Sequence, residues 1–338
     1  MTKTAVVILN YNGEKLLPQF LPSVIQYSIG ADVYVADNAS TDNSLQILQD
    51  KFPSVKVIAL EKNYGFCGGY NRALNAIDSE YYVLLNSDVE VTPGWLDPLV
   101  RILDNDPNAA AVQPKILSYR DRHQFEYAGA AGGFIDSLGY PFCRGRIFTT
   151  VEIDQHQYDD ELPIFWSTGA CFIIRSKVYH HFSGLDEDLF AHMEEIDLCW
   201  KIHRTRQKVM YSGKSSVYHL GAGTLGYDNP KKVYLNFRNG LILIYKHLDP
   251  AELLYKLPVR LMLDWLAALV FLVQGKPKNA LSVAQAHVDF GKALAKHRTK
   301  RKIIREQYPS YSRKTIYRGS ILLDYYLKRI RRYPSNPR

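Results

Sequence analysis

Tyr81-Tyr82-Val83-Leu84-Leu85-Asn86-Ser87-Asp88-Val89-Glu90 is the stretch on which the fold turns. Its run of hydrophobic residues, rich in β-formers, predicts a buried strand. The strand runs into Asn86-x-Asp88, which sets a carboxylate at the rim of a sheet, where ligands of open α/β folds bind. Oxygen donors at such a strand end suit a hard divalent cation that also grips phosphates. A strand followed by an ordinary polar turn would read the same in isolation, so the neighbouring segments decide.

Ala5–Leu9 is a continuous apolar run, as expected of a strand covered on both faces. Leu16, Leu17, Phe20, Leu21, Val24 and Ile25 then recur at helical spacing. Strands are predicted again at Val33–Ala36 and Val55–Leu60, with a short helix carrying Leu45, Leu48 and Phe52 between them. The loop Asn63–Asn71 opens another helix, so Tyr81–Leu85 is the fourth strand. This alternation predicts a parallel, three-layer α/β sheet. Parallel strands end on one edge, so Asp37, Asp88 and the Asn63–Asn71 loop can converge on one ligand there. The loop is glycine-rich but matches neither GxGxxG nor GxxxxGKS. Tight turns are therefore the expected role of Gly65, Gly68 and Gly69.

Farther on, Trp166–Arg175 reads as a loop entering a strand. Gly184–Trp200 carries Glu194, Glu195 and Asp197 at the start of a helix whose Ile196, Trp200 and Ile202 point inward. Acids in a first turn suit the helix dipole. Two adjacent acids behind an aromatic-flanked loop also suit a general base above a cleft. Strands are predicted at Lys208–Tyr211 and again at Ser216–Gly221, the second holding His219. A histidine there is structural unless Asp88 lies near it, in which case it is a metal ligand. Tyr119–Phe165 yields no pattern.

The 338 residues suffice for two modest domains or one domain with an appendage, and a hydrophobic content of 46% supplies a core. The net charge of +8 is concentrated between Lys292 and Arg338. Charges before that stretch nearly balance, so the catalytic portion is not read as a nucleic-acid-binding surface. The basic tail points to an anionic partner, a membrane surface or a nucleic acid, and the membrane surface is the expected one, with no nucleic acid. The four cysteines form no CxxC pair, which fits a reduced, cytoplasmic setting. No secretory leader is read ahead of Ala5.

The motifs resemble those of the family 2 glycosyltransferases, in particular their rhamnosyltransferase-like branch. The resemblance rests on Val7-Ile8-Leu9-Asn10-Tyr11-Asn12-Gly13, Val35-Ala36-Asp37-Asn38-Ala39-Ser40-Thr41-Asp42 and the Asn63–Asn71 loop. It continues through Leu84–Asp88, Gly169-Ala170, Glu194–Cys199 and His219, in the family's order over residues 4–225. It implies a GT-A type three-layer α/β/α nucleotide-diphospho-sugar transferase fold with a C-terminal helical extension. Residues 1–232 would be the catalytic domain, with 1–115 binding the nucleotide-sugar and 116–232 serving acceptor and catalysis. Residues 233–338 would be a helical, basic, membrane-associating extension.

The resemblance also implies roles. Asp37 would hydrogen-bond the base of a UDP- or dTDP-sugar, and Asn10, Asn12, Asn63, Gly65, Asn71 and Asn86 would line the nucleotide pocket. Asp88 would bind Mg²⁺ or Mn²⁺ bridging the diphosphate, completed by His219. Glu195 would be the base, with Glu194 and Asp197 as alternatives. Two positions depart from the family pattern: the first metal-motif residue is the neutral Asn86, and the usual Glu-Asp pair is Glu194-Glu195.

The implied reaction is an inverting transfer to a hydroxyl of a glycan or lipid-linked acceptor in cell-surface polysaccharide synthesis. One base suffices for it, whereas a glycosidase flanks one bond with two carboxylates. A sugar nucleotidyltransferase would carry a Gly-rich signature with Arg and Lys near Asn10–Leu17, which is missing. A catalytically silent binding protein of the same fold remains compatible with Asn86 and the Glu-Glu pair. The apolar run from Trp265 to Val273 is too short to span a bilayer. It packs on the core or lies at the inner face of the cell membrane, with salt-sensitive binding to anionic lipid.

Overall fold

The structure is a computed structural model describing residues 2–221 and 229–333. The end of the family-like span (222–225) and the last residues of the basic stretch (334–338) lie outside the described residues. The N-terminal part alternates as Thr4–Asn10 (β1), Leu17–Tyr27 (α1), Ala31–Asp37 (β2), Ser44–Lys51 (α2), Lys56–Ala59 (β3) and Gly65–Asn75 (α3). Tyr81–Asn86 (β4), Val89–Val91 (β5), Asp97–Asn105 (α4) and Ala109–Ser118 (β6) follow. Next come Gly133–Asp136 (β7), Pro141–Cys143 (β8), Arg146–Ile147 (β9), Thr150–Val151 (β10), Glu161–Ile164 (β11) and Cys171–Arg175 (β12). The chain continues with Ser176–His181 (α5), Glu194–Arg204 (α6), Lys208–His219 (β13), Pro230–His247 (α7) and Pro250–Val273 (α8). Pro277–Gln307 (α9), Ile316–Tyr317 (β14) and Ile321–Tyr326 (α10) end the described chain.

The main sheet runs β11-β13-β6-β12-β4-β1-β2-β3, with β5 on β13. β1 to β4 are parallel, as expected, but β12 runs antiparallel between β4 and β6, so the sheet is mixed. Its two faces are packed separately. On β1, Ala5 and Val7 join Tyr70, Leu74 and Trp200, while Val6 and Ile8 join Leu17, Leu21 and Leu99. Alternate side chains of a strand point to opposite faces, and burying each stabilises by about 1.5–3 kcal/mol. This double burial is why the sequence of β1 and β4 shows no polar alternation.

Two local expectations give way. Lys208–His219 is one strand, not two: its register against β6 shifts between Ser212 and Ser216. Gly213 sits there against Tyr158–Asp159, where a Cβ would come 2.3 Å from the Tyr158 carbonyl oxygen. Gly68 and Gly69 lie within α3 rather than in a turn. A Cβ on Gly69 would meet Leu9 Cδ1 at 2.7 Å, so the glycine lets α3 approach β1 closely. Gly65 alone keeps a turn role, with φ +71° at the helix start.

The stretch that showed no pattern folds into a small second sheet, β10-β9-β8-β7-β14. Its last strand comes from the far C-terminal segment, so its pairing is invisible to local patterns. α7 begins at Pro230, and its Leu241–Ile244 share a core cluster with Trp200 and Tyr211.

Candidate active site

The parallel register assembles the first half of the site. Asn10 lies opposite Asp37, and Leu9 opposite Asn86, so three strand ends share one edge. Asp37 is buried, and its Oδ1 accepts from Asn10 Nδ2 at 2.9 Å and from the Ser40 hydroxyl at 2.6 Å. Its Oδ2 accepts from the Ser40 amide at 2.9 Å, which fixes the carboxylate at the mouth of the edge. Asn12 laces the two loops, donating from its amide to Ser40 Oγ at 2.9 Å and accepting from the Thr41 amide at 2.8 Å. Asn63 joins through Asn38, whose Nδ2 donates to Asn63 Oδ1 and to the Gly65 carbonyl.

Asn71 is placed elsewhere. Its Nδ2 donates to the Leu185 carbonyl and Glu187, and its Oδ1 accepts from the Tyr179 hydroxyl and the Leu185 amide. These bonds use the donor and acceptor capacity of an amide. Asn71 thus ties α3 to the loop before the acids and is not left to contact a nucleotide.

Asp88 and His219 are brought together as the sequence condition required. β5 pairs antiparallel with β13, setting His219 opposite Val89. His219 Nε2 then lies 3.2 Å from Asp88 Oδ1, both residues buried. On the other side of the ring, Nδ1 faces Glu126 Oε2 at 3.4 Å. Burial works to lower the His219 pKa, but hydrogen bonds and charge from Asp88 and Glu126 outweigh it and raise it to about 10. For Asp88 burial works upward, and the hydrogen bond and charge of His219 hold the carboxyl below its usual range. Glu126 lies in the patternless stretch, and no local signal marks it.

The fit to a divalent cation can be tested on this pair. Two neighbouring ligands at about 2.1 Å from a six-coordinate ion stand roughly 3 Å apart, close to the Asp88–His219 spacing. Among the described residues no group of three or more His, Cys, Asp or Glu is arranged to hold a metal alone. Two protein donors plus substrate phosphates and water is a usual way to hold Mg²⁺, and the pair fits that pattern. Metal binding would require His219 to give up its proton.

The acids approach from α6. The Asn86 amide donates to the Ala170 carbonyl at 2.9 Å, drawing the 167–170 loop to the sheet edge. A Cβ on Gly169 would stand 3.9 Å from Glu194 Oε1, so the same loop borders the acid pair. Glu194 Oε2 and Glu195 Oε2 are buried without hydrogen-bond partners in the protein. Burial pushes the Glu195 carboxyl up to about 7. Burial, then the Glu195 charge, pushes Glu194 well above its usual range.

Asp197 does not belong to this pair. It is fully engaged with α6 and α7, accepting from Lys246 at 2.6 Å and His247 at 2.8 Å and pairing with Lys201 at 2.9 Å. Burial works to raise its pKa, but Lys201 and Lys246 hold it well below the usual range. Its place in the helix's first turn suggested a base; its partners make it a bracing ion.

The segment before α6 is strained. Phe190 (φ 65°, ψ −58°), His192 (φ 67°) and Met193 (φ 72°) all hold positive φ. Asn239 of α7, completely buried, donates to the Leu189, Ala191 and His192 carbonyls at 2.7–2.9 Å. Arg238 adds bonds to the Asp188 and Leu189 carbonyls. Non-glycine residues at positive φ persist where surrounding contacts over-determine them, and they cluster at functional sites.

Comparison with known proteins gives the family and the fold. The family model described as "Glycosyl transferase family 2" matches residues 5–182. A curated relative, N-acetylglucosaminyl-diphospho-decaprenol L-rhamnosyltransferase of Mycobacterium tuberculosis, is 27% identical over 242 residues, 66% of this chain and 78% of its own. Among solved structures, GalNAc-T7 with UDP, GalNAc and Mn²⁺ superposes with a TM-score of 0.56 at 18% identity, over 72% of this chain. The chain spans only 48% of that protein. Staphylococcus aureus TarS 1–349 in complex with UDP gives 0.54 at 19% identity, over 91% of both chains. These likenesses place the fold in the GT-A type.

Proposed function

Because the chain belongs to glycosyl transferase family 2, we propose that it moves a sugar, with inversion, from a UDP- or dTDP-sugar to an acceptor hydroxyl. dTDP-rhamnose is the first donor to test, since a relative is named as an L-rhamnosyltransferase. That relative's name also carries a decaprenol-linked acceptor, and a lipid-linked glycan of a cell-surface polysaccharide is the acceptor proposed here. The enzyme would then work from the cytoplasmic side, peripheral on the inner face of the membrane. No described helix is long and apolar enough to cross one.

The observation that carries the reading is the adjacent acid pair, each with one buried oxygen lacking a hydrogen-bond partner, beside the loop that closes on the edge where Asp37, Asn86 and the Asp88–His219 pair end. Asp37 and Asn10 present hydrogen-bonding groups to a pyrimidine base. Asp88 and His219 would hold Mg²⁺ or Mn²⁺, which would neutralise charge on the leaving diphosphate. Glu195 takes the proton of the acceptor hydroxyl as its oxygen attacks the anomeric carbon and the nucleoside diphosphate departs from the opposite face. A base with a pKa near the working pH is effective in this role, typically by about 10²–10⁴-fold. Burial gives Glu195 that value. Glu194 beside it is pushed well above the usual range by burial and then by the Glu195 charge, which disfavours a second charge in the pocket.

The test is nucleotide release from a panel of UDP- and dTDP-sugars with Mn²⁺ or Mg²⁺. At least one donor is expected to turn over faster with metal than with chelator. Donor binding with no turnover, with or without a lipid-linked acceptor, would point instead to a silent binding protein.

A further inference from the structure

Helix α8 is built inside out. Its charged residues Lys256, Arg260 and Asp264 are buried, while Leu254, Met262, Trp265, Leu266, Leu269 and Val273 face outward, Val273 at 89% exposure. The charged row is fastened to the protein. Arg260 donates to the carbonyls of Leu138 and Gly139 and lies 3.6 Å from the Tyr140 ring centre. Asp264 pairs with Arg260 and with His287, each at 3.3 Å. Rotating α8 to hide its leucines would leave the Leu138 and Gly139 carbonyls and His287 facing apolar side chains without their partners, and a buried polar group left unpaired costs about 1–3 kcal/mol. The outward face is therefore fixed by the inner one. It continues onto α9 as an apolar groove of about 340 Å³ lined by Trp265, Leu269, Leu272 and Leu281.

A second exposed apolar surface is tied to the same turn of the protein. α10 and the residues after it expose Leu323, Tyr326, Leu327 and Ile330. Arg329 and Arg332 are exposed among them. Both helices hang on one turn, residues 136–140: the Ile321 amide donates to Asp136, and Ser137 donates to the Gly319 carbonyl.

We propose that the α8–α9 face and α10 seat the protein in the headgroup region of one leaflet of an anionic bilayer. The proposal deepens the lipid-linked acceptor reading and rests on it. A stripe that is apolar outward and ionic inward lies along a membrane surface rather than through it. Trp265 and Tyr326 have the amphipathic rings favoured at the headgroup level. The arginines after α10 complement anionic headgroups.

The seat also revises the expected electrostatics. Much of the basic tail is paired internally: Lys296 and Lys300 with Asp188, Arg305 and Arg313 with Asp249, Lys328 with Asp324. Apolar contact carries the binding, so part of it survives high salt.

The experiment is flotation of the full chain with phosphatidylcholine vesicles, with and without phosphatidylglycerol. It is read together with tryptophan emission, because Trp95, Trp166 and Trp200 are buried and Trp265 is not. The expected result is flotation with anionic vesicles, a blue shift, and quenching by brominated lipid. L266E/L269E should weaken binding at least about tenfold, as loss of apolar insertion requires. R329E/R332E should weaken only the anionic-lipid increment. Wild-type flotation by L266E/L269E would overturn the proposal. So would a wild-type chain that fails to float but forms dimers in light scattering, with a second copy then covering the face. Calorimetry of UDP binding without vesicles separates the two readings. A wild-type chain that binds nucleotide but does not float sinks only the membrane seat, whereas a wild-type chain that floats but turns over no donor sinks only the transferase.

Discussion

At the scale of single residues, Glu195 carries the sharpest expectations. Glu195→Gln keeps shape and removes the base, so kcat should fall by about 10²–10⁴-fold while donor affinity by calorimetry stays within a factor of two or so. In the wild type kcat should rise with pH through about 7, as the carboxyl loses its proton. The same shift has a stability sign. A carboxyl raised from 4.5 to about 7 stabilises the fold while protonated, and that stability is lost as pH rises through about 7. Glu195→Gln should therefore raise Tm at pH 8 and leave it unchanged near pH 4, a trade of stability against function. Unchanged turnover in this variant would move the base to Glu194, since Asp197 is tied to Lys246 and His247. Asp88→Ala is expected to abolish the Mn²⁺-dependent part of UDP binding; equal affinity with and without Mn²⁺ in the wild type would remove the metal role. Asp37, Asp88 and Glu195 stand out in the sequence as candidates because each sits at an element end. Asp197 sits at an equivalent end and Asn71 lies inside α3, and only their long-range partners reveal a structural role.

At the scale of elements, the strained Phe190–Met193 segment and α7 act as a unit. Asn239 bonds three carbonyls of that segment, and a buried group left unpaired costs about 1–3 kcal/mol. Asn239→Ala should therefore lower Tm. It should also speed amide exchange over residues 188–193 and reduce kcat more than the KM for donor, because the acid pair loses its fixed entry. Unaltered exchange there would mean the loop is held by Arg238 and its own packing. The strands and helices of the N-terminal part were legible because double burial and helical spacing are local signals. β14, from the far end of the chain, completes the second sheet, and a pairing set by distant residues leaves no local period to read. The β13 irregularity reads in the sequence as a break for a related reason: the chain that packs against it, at Tyr158–Asp159, is distant from the Ser212–Ser216 sequence.

At the scale of the whole molecule, the sequence suggested a catalytic portion ending near residue 232 and an appendage beyond it, and the contacts bear on whether the two can be parted. Asp186 precedes the acid loop and is buried, which works to raise its pKa; Lys246 and then Lys300 hold it well below the usual range. Those lysines come from α7 and α9. Lys296 and Lys300 also hold Asp188, Arg301 donates to the Tyr245 carbonyl, and Phe290 lies in the core cluster that contains Trp200. A chain ended after His247 keeps Lys246 but loses Lys300, and it uncovers the apolar surface that α9 hides. Lys300 is about a third exposed and Asp186 keeps Lys246, so the larger loss is the apolar burial under α9, at about 1.5–3 kcal/mol for each large side chain uncovered, against the 5–15 kcal/mol that holds a typical domain. The expected outcome is a truncated protein with a much lower Tm that turns over no donor even with a water-soluble acceptor and no vesicles. Thermal melts and nucleotide-release assays decide it. A truncated chain that melts like the full one and releases nucleotide would make residues 1–247 an independent catalyst. The full chain's α8 and α9 would then serve only the membrane, rather than bracing the acids while presenting them to it.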